Sequence, residues 1–144
     1  MRAQKKLPEV LSAEEIERLF ACALDRKHRV VLMTTYAAGL RVSEVVNLRL
    51  ADIDSCRLTI KVRQGKGNKD RYSILSSRLL RELRTYYRES KPRFWLFHGT
   101  YSDRQMHIGT AQQMYYTAKA RAGITKEGGI HTLRHCFATV ADSS

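Results

Sequence analysis

Apolar residues recur at helical spacing in four stretches of this chain. The clearest is residues 12–24, where Ile16, Leu19, Phe20 and Ala23 fall on one face of an α-helix. Ser12 and Glu15 have the spacing of a capping box, so the first helix is expected to begin after Ser12. The pattern predicts further helices over residues 29–38, after a break at 25–28, and over 77–89 and 110–121, the last capped by Thr110.

Two short segments alternate apolar and polar residues instead, which is typical of strands. These are residues 58–63 and 71–75, and the glycine-rich run between them predicts a β-hairpin with Lys66 and Lys69 at its tip. The apolar run 94–97 is predicted to be a buried third strand. The expected fold class is therefore α+β: a mainly helical single domain with a small three-stranded antiparallel sheet.

The segment 34–54 combines an apolar face with two charged residues. Gly39 is expected to break the chain between one helix and a short second helix that carries Arg41 and Glu44. Because burying a guanidinium is costly without an anion, Arg41 needs a carboxylate or a bound anion as its partner. Glu44, three residues further on, can hold the guanidinium in place; alternatively, the two form a purely structural Arg–Glu pair.

Composition points to a polyanionic partner. The 144 residues contain 26 Lys and Arg against 14 Asp and Glu, a formal net charge of +12, and 43% are hydrophobic. This composition is that of a globular protein, and the excess charge predicts nucleic acid first and an acidic membrane surface second. No signal peptide and no apolar run of about 20 residues is recognisable, so a cytoplasmic, nucleoid-associated location is expected.

Metal binding is not favoured by the three cysteines. Cys22, Cys56 and Cys136 are widely spaced and lack a CxxC pair, which is typical of reduced thiols. Cys136 lies close to His131 and His135 along the chain, but two histidines and one cysteine crowded on one helical turn are a poor zinc site. We therefore expect no metal and no other cofactor.

Most of the excess charge lies in one part of the chain. Residues 57–93 contain 12 basic and 3 acidic residues, a local net charge of +9. A solvated basic surface would explain such a run, but so large a share of the charge also predicts contact with a phosphate backbone. The predicted DNA-contacting residues are Lys61, Arg63, Lys69 and Arg71 on the hairpin and Arg81, Arg84 and Arg88 on the helix predicted over residues 77–89.

Residues suited to phosphoryl transfer are distributed over three elements. They are Arg41, Lys66 and the pair His131 and Arg134, which lie three residues apart and so share one face of a helix. Two arginines can bind the oxygens of one phosphate, a lysine can protonate a leaving oxygen, and a histidine can move a proton. Together they would stabilise a pentacoordinate phosphorus without a metal.

Three blocks, AAGLRVSEVVNLRLADID, GKGNKDRYSIL and HTLRHCFAT, resemble in sequence and order the tyrosine recombinase (phage integrase) family, especially its Xer-like and integron-type members. The opening KKLPEVLSAEEIERLF is similar to the family's linker and first catalytic-domain helix. The resemblance covers nearly the whole chain from Leu7. It implies a basic linker at residues 1–7 and a partial catalytic domain at residues 8–144.

The resemblance also implies roles. Arg41 and Arg134 would bind the scissile phosphate, Lys66 would be the general acid for the leaving 5′ oxygen, and His131 would assist proton transfer. Glu44 would orient Arg41. The implied partners are double-stranded DNA and full-length recombinase protomers, with no membrane.

The chain departs from the family pattern after the HxxR motif. Family members carry a tyrosine nucleophile, preceded by a further His or Trp, a few dozen residues beyond that motif, whereas ten residues follow Arg134 here. We therefore expect a recombinase catalytic-domain fragment that binds DNA and its scissile phosphate without the nucleophile, and is inactive alone in strand cleavage and rejoining.

Two alternatives remain at this point. One is a non-catalytic or regulatory remnant that occupies recombination sites or pairs with a full-length recombinase. The other is an unrelated basic DNA- or RNA-binding domain whose motifs match by chance. The unrelated domain would not need Arg41, Lys66, His131 and Arg134 to converge.

Overall fold

The computed structural model describes residues 10–63, 69–101 and 103–143. Within these ranges the helices are α1 (Ala13–Ala21), α2 (Arg26–Ala38), α3 (Val42–Val46), α4 (Ser77–Ser90), α5 (Ile108–Arg121) and α6 (His131–Ser143), with a 3-10 turn at Leu50–Asp52. The strands are β1 (Ile53–Asp54), β2 (Thr59–Val62) and β3 (Arg71–Ile74). The expected fold class, mainly helical with a small three-stranded antiparallel sheet, is confirmed.

Side-chain caps fix where the helices begin. The predicted capping box at α1 is present, since Ser12 Oγ accepts from the Glu15 amide and Glu15 accepts from the Ser12 amide. The predicted break between the first two helices is present but lies earlier than 25–28: α1 ends at Ala21, and Asp25, which accepts the His28 amide at 2.9 Å, starts α2 at Arg26. Thr110 is likewise not the cap of α5; His107 Nδ1 accepts the Gly109 amide at 3.0 Å.

The sheet has the order β1-β2-β3 with both pairs antiparallel. β2 and β3 are the predicted hairpin, with Val62 opposite Arg71 and Thr59 opposite Ile74. The predicted strand at 94–97 is wrong. The third strand of the sheet is instead the two-residue β1, which pairs with β2. Residues 94–97 are instead an irregular segment beside residues 48–50: the Leu50 amide donates to the Phe94 carbonyl and the Leu96 amide to the Leu48 carbonyl.

Helix α2 is the centre of the core. Val30, Val31 and Leu32 are consecutive and fully buried, so this helix is covered on every side. It packs against α1, α4, α5 and α6. No helix in the described part of the chain is long and apolar enough to cross a membrane.

The turn that follows α2 holds two other elements in place. Gly39 caps α2 with φ +65°, a conformation that favours glycine, and a β-carbon there would collide with the ring of Phe137 on α6. On the other side, the Ser73 hydroxyl of β3 donates to the Ala38 carbonyl at 2.6 Å. The end of α2 is thus in contact with both α6 and the hairpin.

Candidate functional site

Arg41 stands immediately before α3. It is the N-cap residue, with an extended backbone (φ −74°, ψ 155°), and its side chain is exposed. The expectation that Arg41 lies within the short helix is therefore wrong by one position. This matters because an N-cap side chain does not follow the i, i+3 spacing of the helix face.

His131 and Arg134 lie in the first turn of α6. The helix begins at His131, so the two side chains share one face, as their spacing predicts. A glycine pair leads into this helix, and Gly128 has φ +126°, a region that L side chains rarely adopt. A β-carbon at Gly128 would also meet the Thr132 hydroxyl, so the close approach of this turn to α6 requires glycine.

The two elements meet at a cavity of about 400 Å³. It is lined by Arg41, Val42, His131, Arg134 and His135. Three of the four predicted phosphoryl-transfer residues are thus brought to one place, although Arg41 and Arg134 are far apart in sequence. Two guanidinium groups and an imidazole on one cavity can bind a tetrahedral oxyanion through charge-assisted hydrogen bonds.

Lys66, the fourth predicted residue, lies outside the described residues. The nearest described residues on either side of it in the chain are Arg63, just after β2, and Lys69. The role of Lys66 as general acid stays a prediction.

Glu44 does not hold the guanidinium of Arg41 as predicted. Its carboxylate accepts two hydrogen bonds from the Arg71 guanidinium, at 2.7 and 3.1 Å, and a third at 2.8 Å from the backbone amide of Arg41. The side chain of Glu44 is 7% exposed and that of Arg71 37%. The carboxylate therefore fixes the backbone of Arg41 and leaves its guanidinium exposed at the cavity.

The pKa of Glu44 is lowered from its ordinary value. Burial alone would raise this pKa, but hydrogen bonds from Arg71 and from the Arg41 amide, with the charges of Arg71 and Arg134, outweigh it. The carboxylate is consequently ionised at neutral pH. The influence of Arg134 indicates that Glu44 lies close enough to the cavity to interact with that guanidinium.

Three of the predicted DNA-contacting residues form ion pairs within the protein. Arg63 binds Asp52 at 3.0 Å, Lys61 contacts Asp70 at 3.5 Å, and Arg71 binds Glu44. Lys69, by contrast, is exposed. The sequence predicts none of these pairs and assigns the hairpin cations to DNA phosphates; those assignments stay predictions.

The arginines of α4 have a different environment. Arg81, Arg84 and Arg88 are exposed, and none forms an ion pair among residues 10–63, 69–101 and 103–137. Arg84 and Arg88 border a second cavity of about 390 Å³, whose apolar lining includes Leu50, Leu80 and Tyr87.

His135 lines the cavity and is not among the predicted site residues. Its ring lies perpendicular to that of His131, with 5.8 Å between ring centroids. The sequence does carry a signal for it, because residues 131 and 135 are one helical turn apart.

The arrangement offers little to a metal ion. No group of three or more His, Cys, Asp or Glu side chains in the described part of the chain could hold one. Cys136, the thiol nearest the two histidines in sequence, is buried and accepts the Leu11 amide through Sγ at 3.4 Å. Burial raises its pKa, which favours the protonated thiol over the thiolate that metals bind.

Comparisons with known proteins agree with this fold. The crystal structure of XerA recombinase superposes with a TM-score of 0.85 at 30% identity, over 98% of this chain and 52% of that one. The XerH site-specific recombinase bound to palindromic difH substrate has the same fold, with a TM-score of 0.82 at 23% identity, over 98% and 44%. The fold is therefore that of the tyrosine recombinase catalytic core.

Sequence comparison identifies the family. The model of the phage integrase family matches residues 9–140. A putative integrase/recombinase, y4qK of Sinorhizobium fredii, is 44% identical over 134 residues, which are 93% of this chain and 44% of the relative. The chain belongs to the phage integrase family, and it spans about half the length of the curated relatives it matches.

Proposed function

We propose that this chain binds duplex DNA and holds one phosphodiester between Arg41 and Arg134 for site-specific recombination. The observation that carries the proposal is the single cavity lined by Arg41, His131 and Arg134. Bidentate arginine–phosphate bonds are strong and directional, so two guanidinium groups can bind both non-bridging oxygens and stabilise charge that develops on them.

The remaining roles follow from chemistry. His131, which is exposed and lines the cavity, would exchange a proton with an oxygen of the bound phosphate. Lys66, in the chain between β2 and β3, would protonate the leaving 5′ oxygen. Glu44 would hold the backbone from which Arg41 projects.

DNA as the partner is supported by charge and by relatives. The chain carries a formal net charge of +12, and XerH of the same fold has been crystallised with difH substrate. A lambda integrase of this fold forms a tetramer on a Holliday junction, which suggests that further recombinase protomers are partners here as well.

We also propose that none of the seven tyrosines of this chain attacks the phosphate. Tyr86 and Tyr115 are buried in the core, and burial raises the pKa of each to about 12, which disfavours the phenolate. Tyr36 packs edge-on against Phe20. The cavity lining contains no tyrosine among the residues that the structure describes.

The test is a titration of a fluorescent duplex, about two helical turns long, with the wild-type chain, R41A and R134A at several salt concentrations. Each variant should bind about tenfold more weakly, because a charge-assisted contact is worth about 1.5 kcal/mol. Arg104→Ala is the matched control, since Arg104 is an exposed arginine that does not line the cavity. If R104A weakens binding as much as R41A and R134A, the cavity is not the phosphate site and the proposal fails.

The nucleophile is tested separately. With a nicked suicide duplex, the chain should give no covalent protein–DNA band on a denaturing gel, because covalent catalysis needs a positioned nucleophile. A band abolished by one Tyr→Phe substitution would contradict this part of the proposal.

A further inference from the structure

Arg71 occupies a position that no predicted role explains. The sequence predicts that it contacts DNA, yet both terminal nitrogens of its guanidinium are bound to the Glu44 carboxylate. Glu44 is the N3 residue of α3, whose N-cap is Arg41. Arg71 therefore neutralises a carboxylate on the helix whose N-cap, Arg41, lines the cavity.

That carboxylate would otherwise compete with phosphate. An ionised, 7% exposed side chain must have a cationic partner, because an unpaired buried charge is very costly. Without Arg71, the cations left beside Glu44 are the cavity arginines: Arg41, which caps the same first turn of α3, and Arg134, whose charge already acts on Glu44. A guanidinium bound to Glu44 is not available to an oxyanion ligand.

We propose that Arg71 is a positioning residue that acts through Glu44: it binds this carboxylate and so keeps Arg41 and Arg134 available for the phosphate. The inference rests on the proposed function, because it concerns the same cavity. It differs from a direct DNA contact in its consequence. If Arg71 bound the phosphate directly, neutralising Glu44 would not compensate for the loss of Arg71. If Arg71 acts by pairing with Glu44, neutralising Glu44 does compensate for it.

The geometry of the pair supports this role. The two Arg71–Glu44 bonds are of the bidentate kind, which lysine cannot reproduce. The same Glu44 oxygen that accepts from Arg71 at 3.1 Å also accepts from the Arg41 amide. The carboxylate is thus held on both sides, by the strand and by the helix start, and has little freedom to reach into the cavity while Arg71 is present.

The experiment measures binding of inorganic phosphate to the full chain by NMR, following the Nε–H signals of the cavity arginines. Arg71→Gln should weaken phosphate binding about tenfold, because a charged partner of this kind is worth about 1.4 kcal/mol. The double variant E44Q/R71Q should recover affinity to within about threefold of wild type, as the carboxylate that captures the cavity arginine is gone. A purely structural role of Arg71 predicts no such recovery.

Several outcomes would overturn the inference. R71Q that binds phosphate as tightly as wild type, or a double variant no better than R71Q, contradicts it. If R71Q does not fold, Arg71→Lys gives the same test with a smaller change: about threefold weaker binding, again recovered by E44Q, since lysine makes one bond where arginine makes two. Thermal unfolding of each variant shows that the folded state is being titrated.

Failure of this inference is distinguishable from failure of the proposed function. R41A and R134A are titrated with phosphate alongside. If they bind phosphate normally, the cavity is not the phosphate site and both proposals fail. If they lose binding while R71Q does not, only the role of Arg71 is wrong.

Discussion

The hairpin and helix α4 contribute similar numbers of cations, but the structure uses them differently. On the hairpin, Arg63 and Arg71 each bind a nearly buried carboxylate, Asp52 at 1% exposure and Glu44 at 7%. On α4, Arg81, Arg84 and Arg88 are exposed, while the acids of that helix, Glu82 and Glu89, bind Arg26 of α2. The hairpin arginines therefore stabilise the fold through internal ion pairs, whereas these α4 arginines are exposed to solvent and available to a ligand.

This difference changes what the charge excess means. The net charge of +9 over residues 57–93 counts cations whose partners, Glu44 and Asp52, lie outside that window. A partner carboxylate at short range cancels most of the field that a cation exerts on a distant phosphate. Long-range attraction of DNA should therefore come more from α4 than from the hairpin residues that the structure describes.

The largest expected effect on stability is at Asp52. Asp52→Ala removes a carboxylate that is 1% exposed, and with it the ion-pair partner of Arg63 and the acceptor of the Arg49 amide at 2.9 Å. The free energy of unfolding should fall by about 3 kcal/mol. Urea denaturation followed by circular dichroism measures it. If the free energy of unfolding falls by no more than the loss of an exposed ion pair would cause, the hairpin ion pairs are no more stabilising than surface ones.

Glu44→Gln should cost less, about 2 kcal/mol, because the amide oxygen can still accept the Arg41 amide hydrogen. The pH dependence identifies the ionised pair. Glu44 has a lowered pKa in the folded state, so the stability it contributes is complete above its ordinary pKa of 4.5 and is lost as pH falls through the folded value.

The groups facing Glu44 are Arg71, Arg134 and the Arg41 amide. Stability of wild type should therefore decline more steeply below pH 4.5 than that of E44Q. Parallel acid limbs for the two proteins would contradict an ionised Glu44.

Arg78 tests the comparison from the other side, because it is an α4 arginine that does have a partner. It binds Glu17 of α1 with two bonds of 2.6 and 2.7 Å, but the side chains are 50% and 56% exposed. Exposed pairs are screened by water and salt, so Arg78→Gln should lower stability by about 0.5 kcal/mol. A decrease as large as that of Asp52→Ala would mean that burial does not separate the two regions.

The smallest change in stability is expected on the exposed face of α4. Replacing Arg81, Arg84 and Arg88 together by Gln should alter the free energy of unfolding by less than about 0.5 kcal/mol per residue. The slope of log affinity for duplex DNA against log salt should nevertheless become shallower, by roughly 0.9 for each phosphate that is no longer bound. Arg63→Gln is the contrasting variant: it should lower stability and leave the slope unchanged.

Local signals in the sequence are sufficient to predict most of the fold. The capping box of Ser12 and Glu15 places α1, and the apolar stripe of α4 is recognisable in the sequence; its buried residues are Leu79, Leu83 and Tyr86. The strand prediction at 94–97 fails because burial does not require regular structure. The apolar side chains Leu96 and Phe97 are indeed buried, but the backbone of this segment bonds to residues 48–50, with an isolated antiparallel bridge between Arg49 and Trp95, and to Met106.

The site is predictable in its composition but not in its connections. Arg41, His131 and Arg134 can be named from their motifs, whereas the partner of Glu44 cannot. Spacing along one helix suggests Arg41, yet Arg41 precedes the helix and Glu44 turns to a strand 27 residues away. That choice depends on how β3 docks against the end of α2, which no local pattern encodes.

The contact between Gly39 and Phe137 has a consequence for synthesis of the chain. Arg41 and Arg134 enter the cavity from segments that this contact holds together, and 93 residues separate them. At a ribosomal rate of about 5–20 residues per second, Arg134 is translated roughly 5–20 s after Arg41. A nascent chain therefore has Arg41 without Arg134, and Gly39 without Phe137, until α6 has been synthesised and packs against the first half of the chain.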